Sequence, residues 1–196
     1  MCRNGSFPTP PMSDAYHLEL SAARCHRSKE FEKEEGFLVE LLAIREGPAT
    51  YDAQVIDTLR TLVFAIEIQG LDRGSEIEAI YRKILVVEER EHGEKDYYHT
   101  KRAVCDLAIV LRQSGKYDEA ETLYNRMVNI EAEKHGFGSE RIDDHLMSMV
   151  EMFEDKGDAQ KAKKVLRKVV ARSERESGKD SVRAVRARQR LAFDSV

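Results

Sequence analysis

Tryptophan is absent from this 196-residue chain, proline occurs four times and cysteine three times. Three of the prolines, Pro8, Pro10 and Pro11, fall in the first twelve residues, so Pro48 alone interrupts the rest of the chain. Cys2, Cys25 and Cys105 are far apart and odd in number, which fits neither a disulfide framework nor a zinc cluster. No apolar run approaches the roughly 18 residues of a membrane span, and Met1 to Met12 lacks the apolar core of a signal peptide. The expectation is a reduced, cytoplasmic protein with no membrane partner. Charge of one sign is not in excess either: 32 Lys and Arg face 36 Asp and Glu, a net charge of −4 that disfavours wrapping nucleic acid over the whole surface. Long β-branched alternation between hairpin turns is also missing, so the chain reads as all-α.

What is present is an internal period. Gly115-Lys-Tyr-Asp-Glu-Ala120 recurs 42 residues later as Gly157-Asp-Ala-Gln-Lys-Ala162, and Gly136 recurs as Gly178. His92-Gly93 and His135-Gly136 stand 43 apart, as do Tyr81 and Tyr124. Within one unit, Val104, Leu107, Ala108 and Leu111 share a face of a first helix, and Ala120, Leu123, Tyr124 and Met127 share a face of a second. Such hairpins cannot cover their own apolar faces and must stack. Extending the period predicts helices at 13–27, 31–46, 51–69, 74–91, 97–113, 117–134, 139–155, 159–176 and 180–192.

The run from Leu107 through Gly115-Lys-Tyr-Asp-Glu-Ala120 to Tyr124 and Met127 resembles the tetratricopeptide repeat (TPR), and its 42-residue spacing is similar to the kinesin-light-chain-like variety. The resemblance implies a right-handed α-solenoid of stacked antiparallel hairpins with about nine helices. Residues 1–12 then form a disordered lead, 13–49 a diverged first hairpin, 50–179 three TPR-like repeats and 180–196 a capping helix. It further implies a protein-interaction adaptor or scaffold that takes a peptide or helix of another protein into a concave groove lined by the first helix of each hairpin. Carried over unit by unit, the groove positions are Leu59, Leu62, Val63 and Ile66, then Arg102, Cys105, Asp106, Ile109 and Arg112, then Asp144, Met147, Ser148 and Glu151, with Arg186, Gln189 and Arg190 on the closing helix. A partner helix would bury an aliphatic stripe against residues 59 to 66 and meet Arg102, Arg112, Asp144 and Glu151 with its charged end.

Charge is uneven along the chain. Residues 159–196 hold 12 Lys or Arg against four acids, whereas residues 1–158 hold 20 basic and 32 acidic residues. Arg183, Arg186 and Arg190 share one helical face and form a candidate basic patch, read as a solvated closing face, a site for an acidic protein or, least favoured, a nucleic-acid contact. Catalytic, cofactor and metal residues are not assigned, because no pair of the six histidines has metal-binding spacing. Two alternatives stay open. Tyr97-Tyr98-His99, with His145 one hairpin along, offers acid–base groups for a small molecule or an enzyme pocket enclosed by the helices. Tyr16, Leu18 and Leu20 protect the N-terminal end poorly, which allows a homodimer through the solenoid ends.

Overall fold

The computed structural model describes residues 14–45, 52–70 and 72–193; the expected lead at 1–12 and Pro48 lie outside them. Nine α-helices and no strand occur among the described residues: α1 (Asp14–Ser28), α2 (Phe31–Arg45), α3 (Asp52–Ile68), α4 (Gly74–His92), α5 (His99–Gln113), α6 (Tyr117–His135), α7 (Glu140–Asp155), α8 (Ala159–Ser177) and α9 (Val182–Phe193). Every boundary falls within about two residues of the one that the period predicts. Two compact units result, Met1–Arg73 and Gly74–Val196.

In the first unit α2 packs against both α1 and α3. Its turn between α1 and α2 lacks glycine, yet it closes as the glycine turns of the second unit do. Lys29 adopts φ 59°, and the Glu30 N–H donates to the Cys25 carbonyl at 2.9 Å. In the second unit Gly115 and Gly157 take φ 73° and 77°, with Lys116 N–H donating to Leu111 and Asp158 N–H to Phe153, each at 2.8 Å. All three are the six-to-one closure of a left-handed helix cap, a conformation that costs lysine more than glycine. Lys29 therefore hides from the sequence a turn that the backbone makes anyway.

The second unit runs α4 to α9, each helix packed against the next. Ala103, Ala108, Ala120, Ala162 and Ala184 are fully buried or nearly so, which lets neighbouring backbones approach. Tyr124, Phe153, Leu111, Met127 and Leu166 fill the wider gaps and form the bulk of the core. A buried polar position recurs with the period in both units: Arg45 in the last turn of α2 in the first, and Glu88, Glu131 and Ser173 in the last turns of α4, α6 and α8 in the second, at spacings of 43, 43 and 42.

If alanine is needed for close approach, a larger side chain there must strain the packing. Ala120→Leu is expected to lower stability by about 1–3 kcal/mol, whereas Ala79→Leu on the exposed side of α4 changes it by less than about 0.5 kcal/mol, both read by urea denaturation.

Candidate functional site

The residues predicted to line a groove divide into two sets. Leu59, Leu62, Val63 and Ile66 on α3 are between 0 and 5% exposed, so the expected open apolar half of the groove is corrected: these side chains belong to the packed interior. Helical spacing marks an apolar stripe without saying whether a partner or the protein's own helices cover it, and here burial decides. The exposed side of α3 instead carries Phe64 and Ile68.

On α5 and α7 the predicted positions remain accessible. Arg102 and Ile109 are exposed, and Cys105, Asp106 and Arg112 are half-buried; on α7, Asp144 is exposed while Met147, Ser148 and Glu151 are half-buried. Their charges, however, are turned on one another. Arg112 donates to Glu151 at 2.9 Å and to Asp155 at 2.6 Å, bridging α5 to α7. Burial alone would lower the Arg112 pKa, but the two carboxylates outweigh it and hold the guanidinium charged. Arg183 donates to Asp144 at 2.9 Å and Arg190 to Glu154 at 2.5 Å, bridging α9 to α7. Burial raises the pKa of the Cys105 thiol, which keeps it a poor nucleophile.

Where α7, α8 and α9 meet, these side chains surround a cavity of about 390 Å³. Asp144, Met147, Arg183, Arg186 and Arg190 line it, and Val169 and Ala187 supply apolar floor. Five predicted residues thus converge, and the arginines expected to form a surface patch are the wall of a cleft. Gln189 is exposed and does not line it. Arg186 is exposed and has no carboxylate within salt-bridge distance among the described residues, so the cleft carries one uncompensated positive charge over an apolar base. Such a cleft can seat an apolar side chain and orient an acceptor beside it.

Of the Tyr97-Tyr98-His99 cluster, Tyr97 alone turns toward the charges around His145. Tyr98 is exposed and lies with Lys95, Asp96, Glu133 and Lys134 at a shallow cavity of about 290 Å³. The His99 backbone N–H donates to the Asp96 carboxylate at 2.6 Å, and its ring stacks on His92 at 3.9 Å, a helix-start arrangement. Tyr97 turns inward to a network that the sequence reading missed. Lys101 and Ser139 both donate to the fully buried Glu131, and Arg141 donates to the Tyr97 hydroxyl. His145 lies among the same charges, and burial, reinforced by Lys101, lowers its pKa and keeps it neutral. One signal pointed there: Glu88 and Glu131 recur at 43 residues on otherwise apolar helix faces.

No family model and no curated protein matches this chain. Among solved structures, the fold is that of TPR-like repeats. A Podosopora anserina putative kinesin light chain with nearly identical TPR-like repeats superposes with a TM-score of 0.67 over 93% of this chain and 87% of its own, at 16% identity; a singly substituted form of that protein gives the same values. BtubC (BKLC) from P. vanneervenii superposes with a TM-score of 0.62 at 16% identity, over 91% of this chain and 70% of its own. No helix among the described residues is long and apolar enough to cross a membrane.

Burial would raise the Glu131 pKa, but hydrogen bonds from Lys101, Ser139 and Tyr97 outweigh it and bring the value down to about 2. A depressed carboxylate stabilises the fold above its unfolded pKa, and that contribution disappears as pH falls from about 4.5 toward 2. Glu131→Gln is therefore expected to flatten the acid limb of the stability profile, removing on the order of 3 kcal/mol of pH dependence in that window, as measured by urea denaturation at stepped pH.

Proposed function

We propose that this chain is a non-catalytic interaction scaffold whose second unit holds a segment of another protein along the face of α5, α7 and α9. TPR-like folds are generally interaction scaffolds, and the observation that carries the reading here is the cleft between α7 and α9, where groove residues from two first helices converge on an apolar floor. Ile109, 43% exposed on α5, extends apolar contact along that face. A bound segment would insert an apolar side chain over Met147, Val169 and Ala187, while Arg102 and Arg186 meet its polar groups. Arg112, Glu151 and Asp144, already bonded within the protein, set the spacing of the three helices instead of contacting the partner. The Leu59 to Ile66 stripe takes no part, so substitutions there would test folding and not binding.

Site-specific photocrosslinking in native extract tests this directly. A photoreactive residue at position 109 or 147 is expected to label a discrete protein partner, and Arg186→Glu with Ile109 intact should cut the label at position 147 by about tenfold, the size of one lost interfacial charge contact. Labelling no different from that of a probe at exposed Ala43 on α2 would overturn the reading.

A further inference from the structure

The second unit pairs its charges between neighbouring helices with notable regularity. Lys116 donates to Glu78, Arg82 to Glu119, Lys156 to Asp118, Lys161 to Glu121 and Arg126 to Glu89, all between residues 37 to 40 apart in sequence. On α9, Arg183, Arg188 and Arg190 also reach carboxylates. The basic excess of the C-terminal region is therefore consumed on α9 apart from Arg186. It is not consumed on α8. Lys163, Lys164, Arg167 and Lys168 have no carboxylate within salt-bridge distance among the described residues.

At about 100° per residue, these four side chains occupy one arc of α8, together with Gln160, Ala171 and, toward the end of the helix, Glu174 and Arg175, which pair with Arg188 and Glu176. Lys163 stands four residues from Arg167 and Lys164 four from Lys168, so like charges face each other twice on one helix, an arrangement that opposes helix formation. The repeat does not require it. One period earlier, on α6, the positions equivalent to 160, 163, 164, 167 and 168 are Asp118, Glu121, Thr122, Asn125 and Arg126, a face with more acid than base. Uncompensated repulsion that the fold does not impose is the mark of a surface kept for a ligand.

We propose that the outward face of α8 binds a short acidic segment of another protein, separately from the cleft between α7 and α9. The patch is compact: residues 163 to 168 rise only about 8 Å along the axis, which matches a few consecutive carboxylates. Its neighbour α6 presents Asp118, Glu119 and Glu121, already paired with Lys156, Arg82 and Lys161, but residues 74–158 as a whole hold 20 acids against 12 bases, and a long polyanion running onto that region meets their net negative field. No exposed aromatic or large aliphatic side chain stands on the arc to stack a base or enter a bilayer. A short acidic protein segment is the polyanion that this setting admits.

Fluorescence anisotropy with a labelled hexaglutamate peptide tests the proposal on the full chain. Binding is expected, weakening steeply between about 50 and 300 mM salt. Lys164→Glu with Lys168→Glu should weaken it by about tenfold or more. The same double variant, checked by circular dichroism, should melt at the wild-type temperature or above it, because the i,i+4 repulsion is gone. Lys134→Gln, an exposed cation elsewhere in the unit, should leave binding unchanged. The proposal fails if hexaglutamate does not bind, if the α8 variant binds it as well as wild type, or if duplex DNA or phosphatidylserine vesicles bind more tightly than the peptide.

Discussion

A buried polar side chain recurs in the last turns of α2, α4, α6 and α8. Arg45, Glu131 and Ser173 are bonded by groups from an adjoining helix or turn, and Glu88 lies 3.5 Å from His92 one turn along its own helix. An unpaired charge at such a depth would cost several kcal/mol, so the partners are not optional. Arg45 takes Thr58, Glu131 takes Lys101 and Ser139, and Ser173 takes Asp143, which Arg172 also grips at 2.7 Å. Between the last two hairpins the sign exchanges: α5 supplies the cation Lys101 to Glu131 of α6, whereas α7 supplies the carboxylate Asp143 to Arg172 and Ser173 of α8. Apolar packing alone tolerates a helix sliding or rotating by a fraction of a turn. These buried bonds do not, and they fix the register in which α5 and α7 present their remaining faces.

That register explains why the groove residues behave as two populations. Side chains that bridge first helices, such as Arg112 to Glu151 and Arg183 to Asp144, hold spacing and have little left for a partner. Side chains between the bridges, such as Ile109, Met147 and Arg186, remain available. Surface ion pairs of this kind contribute little stability singly, commonly up to about 1 kcal/mol, but their regular placement makes two of the unpaired cationic sites conspicuous. One is Arg186 in the cleft, and the other is the cationic arc of α8.

Much of the fold was legible because glycine, alanine and tyrosine recur at fixed offsets, and those residue types carry backbone and packing meaning by themselves. Gly115 and Gly157 announced left-handed turns, and Ala120 and Ala162 announced close contacts. Lys29 announced nothing, since lysine is rare in that conformation, and the first hairpin stayed faint for that reason. The site was legible only in part. Periodicity placed Arg186 and Met147 on faces that line one cleft, but it could not tell that Leu62 and Ile66 were already covered. Nor could charge counting separate the satisfied arginines of α9 from the unsatisfied lysines of α8, because pairing depends on which helices become neighbours.

A double-mutant cycle at the Lys101 and Glu131 pair tests the register constraint most directly. Removing either partner alone, as Lys101→Met or Glu131→Leu, should cost about 3–5 kcal/mol by leaving a buried charge behind. Replacing both should recover most of that loss, giving a coupling energy above about 2 kcal/mol in urea denaturation. Single variants that cost less than about 1 kcal/mol, with losses that simply add, would contradict the account, since the buried polar position would then be a passenger in a fold held by apolar packing alone.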